Sequence, residues 1–214
     1  MMDVAQLNAR LTSRRREAQA AWSALVTASR TAGGAASEDK SGTVPPSGVS
    51  VPPNPTPECY GPRVMVVGNT DTGKSTLVRT LASYAARLAY CPILVDLDPG
   101  QGSLSIPNTV AAATVDASQV DPTVGFSGLR PLVHCTGSVT PDRHTSMYKG
   151  ATSALAGTVR HLLRSNDLIR SSGCVINTCG WTDGKGFSLL LHAIEQLEPD
   201  VIVVMVGGAL LADL

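Results

Sequence analysis

The first thirty residues carry apolar side chains at intervals of three or four positions. These positions are Val4, Leu7, Leu11, Ala18, Trp22 and Leu25. Because this spacing follows the turns of a helix, it predicts an α-helix over residues 3–30, within a first region of residues 1–30. Arg14, Arg15 and Arg16 interrupt the stripe. We interpret them as a solvated face, with a phosphate or RNA contact as the alternative.

Residues 31–57 have a different composition, which is dominated by Gly, Ala, Ser and Pro. A segment with so little apolar surface cannot offset the conformational entropy that ordering would cost. We therefore predict a flexible, disordered linker or insertion after the N-terminal helix.

From residue 58 onward, short apolar runs alternate with amphipathic stretches. The predicted strands are 64–67, 93–95, 132–135, 174–176 and 201–206, and the predicted helices lie around 77–88, 148–162 and 187–197. Apolar strands alternating with helices are typical of a parallel sheet covered on both faces. The predicted fold class of residues 58–214 is therefore α/β, a three-layer domain with a mainly parallel sheet. No element is assigned over residues 108–130.

Composition and charge exclude several classes of protein. The chain is 43% hydrophobic, and its 17 Lys and Arg residues balance 17 Asp and Glu residues, so it has a core but no overall positive field for nucleic acid. Aromatic residues are only 4% of the chain, which excludes a stacking platform of many rings. The longest apolar stretch, residues 201–212, contains two glycines and is too short to span a bilayer, so we expect no membrane partner.

The five cysteines include no Cys-x-x-Cys pair, so neither a cysteine-rich zinc site nor a disulfide framework is expected. This usage is typical of a reduced, intracellular protein. The N-terminus of the chain is rich in Arg, Ala and Ser, as mitochondrial transit peptides are. A mitochondrial location is therefore kept as an alternative within the cell.

A phosphate-binding loop lies between the first predicted strand of the α/β region and the helix that follows. It fits the Walker A pattern G-x-x-x-x-G-K-[ST], in which backbone N–H groups and a helix N-terminus face an anion. The residues predicted to bind nucleotide are Gly68, Asn69, Thr70, Asp71, Thr72, Gly73, Lys74, Ser75 and Thr76. Lys74 is expected to reach the β- and γ-phosphates, and the Ser75 hydroxyl to coordinate Mg²⁺.

Two carboxylates end the second strand of this region, in the sequence Ile93-Leu94-Val95-Asp96-Leu97-Asp98. In open α/β sheets, ligands bind at the carboxyl ends of the strands. Asp98 lies nearer the mouth, and we predict that it holds the metal or acts as a general base. For Asp96, a chemical role and a loop-capping role stay equally open.

The chain resembles the polynucleotide 5′-hydroxyl-kinase family, which includes the Clp subunit of the pre-mRNA cleavage complex. The resemblance rests on four segments in order: GPRVMVVGNTDTGKST, DLDPGQGSLSIPNTVAA, PLVHCTGSVTP and SGCVINTCGW. It implies a P-loop NTPase-type domain that transfers the γ-phosphoryl group of ATP, with Mg²⁺, to the 5′-hydroxyl of RNA. It also implies mRNA cleavage-factor subunits as partners and a nuclear location.

The resemblance assigns roles to further residues. Lys74 and Asp98 match catalytic positions, and Ser75 and Asp98 match metal-binding ones. Ser138 and Thr140 match a segment near the acceptor RNA, and Trp181 matches a tryptophan that stacks on an RNA base. The remaining basic residues of this region are interpreted as solvated, with an RNA-facing patch as the alternative: Lys149, Arg160, Arg164, Arg170 and Lys185.

Some family features are not matched. The family continues into a lid with arginines that clamp the transferred phosphoryl group, so we expect the kinase-type domain to be incomplete at its C-terminus. Loss of such an arginine costs roughly 10³–10⁵ in rate. A catalytically inactive, ATP-bound scaffold of a 3′-end processing complex is therefore the alternative function. A GTPase is disfavoured, because the chain has no [NT]-K-x-D motif.

Overall fold

The computed structural model describes residues 3–33, 53–121, 123–206 and 209–213. The helices are α1 (Val4–Gly33), α2 (Lys74–Arg87), α3 (Thr145–Ser165), α4 (Asp167–Ser172) and α5 (Lys185–Leu197), with 3-10 turns at Pro57–Cys59 and Ala117–Gln119. The strands are β1 (Arg63–Gly68), β2 (Ile93–Asp96), β3 (Thr109–Thr114), β4 (Val120–Asp121), β5 (Gly125–Phe126), β6 (Leu132–Cys135), β7 (Cys174–Asn177), β8 (Val201–Val206) and β9 (Ala209–Asp213). Most of the predicted linker, residues 34–52, lies outside the described residues.

The main sheet has the strand order β6-β3-β2-β7-β1-β8-β9. Its centre, β2, β7, β1 and β8, is parallel, whereas β3 and β9 run antiparallel to their neighbours. Because the central strands share one direction, their carboxyl ends meet at one edge of the sheet. The predicted phosphate-binding loop follows β1 at that edge.

Alternate residues of β1 pack into two apolar cores. Met65 and Val67 contact the core formed with α3 and α5, whereas Val64 and Val66 contact the core formed with α1 and α2. This alternation follows from the two-residue period of a strand, and it requires helices on both faces of the sheet. The predicted fold class, a three-layer α/β domain with a mainly parallel sheet, is confirmed.

Helix α1 is anchored to α4 by charged side chains. The fully buried Arg15 donates a hydrogen bond from Nε to the Ser172 carbonyl oxygen at 3.0 Å. Burial lowers the pKa of Arg15 to about 10. The buried guanidinium of Arg170 lies 4.1 Å from the centroid of the Trp22 ring. The interpretation of basic residues as solvated is therefore wrong for Arg15, which lies on the same helix face as Leu11, and for Arg170.

The unassigned region 108–130 contains a buried strand. Strand β3 lies between β2 and β6, and its sequence, TVAAAT, has three alanines, which are depleted in strands. Strand β6 has the predicted bounds, but it lies at the sheet edge, where Leu132 is 42% exposed. Across the described ranges, no helix is long and apolar enough to cross a membrane.

Candidate functional site

A cleft of about 640 Å³ opens where the parallel strands end. Four segments line it: the loop after β1 with the start of α2, the loop after β2, the turn after β6 and the residues after β7. One lining residue from each segment, in the same order, is Lys74, Asp98, Val139 and Trp181. The sheet topology thus brings together residues that are more than one hundred positions apart in the chain.

The loop after β1 is curled tightly around its own backbone. Thr72 Oγ1 and Lys74 Nζ both donate hydrogen bonds to the Asn69 carbonyl oxygen, at 2.8 and 2.7 Å. Gly73, the N-cap of α2, has a φ of 90°, a conformation that glycine adopts without steric cost. At Gly68, a Cβ atom would lie only 2.4 Å from the Met205 carbonyl oxygen of β8. The glycines of the motif therefore permit both the curl and the close approach of β8.

The nine predicted loop residues do not all face the cleft. Thr70, Asp71 and the stretch 73–76 line it. Gly68, Asn69 and Thr72 instead shape the loop, and the Asn69 side chain accepts a hydrogen bond from Thr182 Oγ1. These three residues would act on a ligand through the loop conformation rather than through their side chains.

Lys74 carries its ammonium group in a buried position. Burial lowers the pKa of Lys74, while the neighbouring Asp98, Cys179 and Asp71 act in the opposite direction. A polyanion in the cleft would compensate the buried charge, and the N–H groups at the start of α2 would add to its binding.

Asp96 and Asp98 have different surroundings although they are two residues apart. Asp96 is buried, and its Oδ2 accepts hydrogen bonds from Ser103 N at 2.6 Å and Ser103 Oγ at 2.8 Å. Asp98 lines the cleft, and its Oδ1 accepts from Gly100 N at 2.9 Å and Gln101 N at 3.2 Å. Of the two carboxylates, Asp96 holds the loop in place and Asp98 is available to a ligand.

Two residues outside the Walker A motif also border the site. Asn177, which ends β7, donates from Nδ2 to Asp96 Oδ1 at 3.0 Å and to Ser75 Oγ at 3.4 Å. Arg79, one turn into α2, lines the cleft and donates from Nε to the Ser75 carbonyl oxygen at 3.3 Å. The sequence marks Asn177 as a polar residue at the end of a buried strand, which could have identified it as a site residue. The contacts of Asn177 depend, however, on β7 lying between β1 and β2.

The donors beside the loop fit a hard divalent cation. Ser75 Oγ and the Asp98 carboxylate would supply oxygen ligands, which Mg²⁺ prefers. The buried Asn177 Oδ1 has no hydrogen-bond partner within the described part of the chain and could accept from a metal-bound water. No cluster of three His, Cys, Asp or Glu side chains suited to a metal occurs among those residues, so the other ligands of Mg²⁺ would be water and phosphate oxygens.

The residues predicted to contact RNA lie in or beside the same cleft. Trp181 is partly exposed and lines the cleft. Ser138 and Thr140, whose hydroxyl oxygens are 3.4 Å apart, alternate with the cleft-lining Val139 and Pro141 in the turn after β6. The structure therefore brings Trp181 into the cleft and places Ser138 and Thr140 beside its lining.

Comparison with known proteins identifies related sequences. The chain is 48% identical over 145 residues to "Polyribonucleotide 5′-hydroxyl-kinase Clp1" of both Gallus gallus and Homo sapiens, covering 68% of this chain and 34% of each relative. It is 41% identical over 158 residues to "Protein CLP1 homolog" of Dictyostelium discoideum, covering 74% of this chain and 34% of that protein. The chain thus spans about one third of the length of these relatives.

Solved structures and a family model give the same result. The fold matches wild-type Clp1p in its complex with Pcf11p, with a TM-score of 0.60 and 31% identity over 69% of this chain and 37% of that one. A second Clp1p structure, which concerns the Pcf11p interface and ATP loss in a point mutant, matches with a TM-score of 0.58 and 30% identity over 68% of this chain and 37% of that one. The sequence model for the P-loop of the mRNA cleavage and polyadenylation factor CLP1 matches residues 68–214. The chain therefore belongs to the CLP1 P-loop family.

Proposed function

We propose that the chain binds ATP·Mg²⁺ in the cleft and acts as a polynucleotide 5′-hydroxyl kinase on RNA. One observation carries this proposal: the buried Lys74 and the Ser75 hydroxyl share a single cleft with the Asp98 carboxylate and the Trp181 ring. One cleft thus combines Lys74 for binding phosphate, Ser75 and Asp98 for holding the metal, and Trp181 for stacking on a base.

The phosphate-binding loop and Asp98 have separate roles in this reaction. Lys74 and the loop amides bind the β- and γ-phosphates and stabilise the negative charge of the transition state. The curled loop would position the γ-phosphoryl group for attack by the incoming oxygen. Asp98 either accepts the proton of that oxygen or holds the metal. Mg²⁺, when bound, neutralises charge on the β- and γ-phosphate oxygens.

Trp181 and the turn after β6 accept the RNA end. Trp181 stacks on a base, an interaction that contributes about 1–3 kcal/mol. Ser138 and Thr140 donate hydrogen bonds to the RNA backbone beside the cleft. We also propose a partner related to Pcf11, because the similar Clp1p was solved in complex with Pcf11p. The nuclear location stays a prediction that rests on the resemblance.

Two measurements on the purified chain test this proposal. Calorimetry in magnesium buffer is expected to show ATP binding that Lys74→Ala weakens about hundredfold, because a charge-assisted contact to phosphate is lost. Lys149→Ala, a charge removal on α3 outside the cleft lining, is the matched control and leaves the affinity unchanged.

The second measurement follows transfer of labelled γ-phosphate from ATP to a 5′-hydroxyl oligoribonucleotide. Transfer of the label by the wild type, together with its loss in Asp98→Asn, would support the kinase function. Bound ATP with no transfer, even when a longer native form of the protein is used, would replace the kinase by the ATP-bound scaffold. Failure of ATP to bind at all would refute both functions.

A further inference from the structure

A second cavity, of about 320 Å³, lies at the other end of the sheet from the nucleotide cleft. It is lined by Arg63, the first residue of β1, whereas the phosphate-binding loop follows the last residue of that strand. Helices α1 and α3 and the segment before β1 form the remaining walls. We call it the arginine cavity.

The arginine cavity has an excess of positive charge. Its charged lining residues are Arg14, Arg63, Arg160, Arg164, Glu198 and Asp200, a sum of four positive and two negative charges, or +2. Both acids are already paired with one arginine, because Arg63 Nη1 lies 3.1 Å from Glu198 and Arg63 Nη2 lies 3.0 Å from Asp200.

The other three arginines have no ion pair to any described residue. Toward the described residues, the Arg160 guanidinium donates one long hydrogen bond, 3.4 Å from Nη1 to the Gln196 carbonyl oxygen. Arg160 and Arg164 are four residues apart on α3, a spacing at which like charges repel. Arg14 adds a third guanidinium from α1. An anion bound between the two helices would relieve this repulsion.

The charge and size of the cavity select one class of anion. A phosphomonoester carries about −1.5 to −2 charges at pH 7, which matches the excess of +2, and its oxygens pair with the planar fork of arginine. The cavity volume of about 320 Å³ is large enough for a phosphate on a small carrier. Pro57 and Tyr60 give it a partly apolar wall for such a carrier.

We propose that the arginine cavity binds a phosphomonoester dianion through Arg14, Arg160 and Arg164. The source of the group is either free phosphate or the phosphate of a small carrier, such as a mononucleotide or a phosphorylated side chain. This site does not depend on the nucleotide cleft, and its occupant would link α1 to α3.

Calorimetric titration of the whole chain with inorganic phosphate, O-phosphoserine and AMP tests this site. Each probe is titrated into the wild type and into Lys74→Ala, which weakens phosphate binding at the nucleotide cleft. We expect R160Q/R164Q to weaken binding about hundredfold and Arg14→Gln, on the facing helix, about tenfold. The matched control, R10Q/R16Q, removes two exposed charges from α1 outside the cavity and stays within twofold of the parent.

The outcomes separate this site from the nucleotide cleft and identify the source. Equal affinity for the three probes supports free phosphate, and tenfold tighter binding of AMP or phosphoserine supports a carrier. Binding that disappears in Lys74→Ala but persists in R160Q/R164Q overturns the proposal, as does equal affinity for glutamate. Tighter binding of an oligoribonucleotide without a terminal phosphate, lost in R160Q/R164Q, would overturn it in favour of RNA. If R160Q/R164Q does not fold, Arg14→Gln decides the question.

Discussion

Asn177 Nδ2 donates a hydrogen bond to Asp96 Oδ1 at 3.0 Å and thereby joins the ends of the neighbouring strands β7 and β2. The same amide nitrogen lies 3.4 Å from Ser75 Oγ, at the start of α2. The three segments that meet behind the nucleotide cleft are therefore held together by one buried side chain. This contact also separates the roles of the two aspartates that end β2.

Asp96→Ala is expected to lower the free energy of unfolding by roughly 3 kcal/mol, because it leaves the buried Asn177 amide and three part-buried donors of Ser103 and Asp98 without their acceptor. Urea unfolding measures this loss. Asp98→Ala is the matched variant. It should change the stability by less than about 1 kcal/mol, because the N–H groups that donate to Asp98 Oδ1 are exposed, while abolishing phosphoryl transfer. A stability loss that is equal in the two variants would contradict the separation of roles.

Gly180→Ala is expected to weaken ATP binding at least tenfold. A Cβ atom at this position would lie 2.4 Å from Thr70 Oγ1 and 2.6 Å from Thr70 N, so the phosphate-binding loop must shift. Calorimetry with ATP checks the affinity. Gly157→Ala in α3, where a Cβ atom meets nothing within 4 Å, is the control. It should leave the affinity unchanged and raise the stability by about 0.5–1 kcal/mol, because alanine favours a helix. Unchanged ATP affinity in Gly180→Ala would contradict this loop geometry.

Gly186→Ala is expected to weaken RNA binding without removing any RNA-facing group. A Cβ atom there would lie 2.4 Å from the Trp181 carbonyl oxygen and 2.5 Å from Trp181 Cγ, so both the backbone and the indole ring of Trp181 must move. Fluorescence anisotropy with a labelled 5′-hydroxyl oligoribonucleotide should show a loss in the same direction as Trp181→Ala, for which a lost stack predicts about 1–3 kcal/mol. Full affinity in both variants would remove Trp181 from the RNA site.

Stability at alkaline pH depends on Cys174, where burial raises the pKa from an ordinary value near 9 to about 12. The folded chain holds this proton more tightly, so the stabilisation is complete below pH 9 and is lost as the pH rises towards 12. Between pH 8 and pH 10, the wild type should lose about 1.4 kcal/mol more unfolding free energy than Cys174→Ala. Urea unfolding at both pH values measures this difference. The exposed Cys135→Ala should follow the wild type, and identical losses in all three proteins would contradict the assignment.

The parts of the fold that depend on local sequence were predictable. Strand β1, the loop and α2 are contiguous, and the apolar run, the two glycines and Lys74 define them within about twenty-five residues. The position of Asp98 at the cleft also follows from its place at a strand end. Strand β3 was not predicted because alanine has a low propensity for strands. Its alanines form a strand because β2 and β6 pair with it on both sides.

The parts that depend on distant pairing were not predictable. The burial of Arg15 requires the Ser172 carbonyl oxygen, and the stack of Trp22 requires Arg170. The contact of Asn177 with Ser75 requires a strand order that no local pattern encodes. In each case a polar group is buried because its partner arrives from a remote part of the chain.

The hydrogen bond between Arg15 and Ser172 spans 157 positions of the chain. During synthesis, the first helix is made long before the carbonyl group that accepts this bond. Until translation reaches α4, the newly made helix must keep a guanidinium in water that the finished protein buries. Helix α1 therefore cannot dock before α4 has been made, and a ribosome-bound intermediate that ends before α4 would expose α1 to chaperones and proteases.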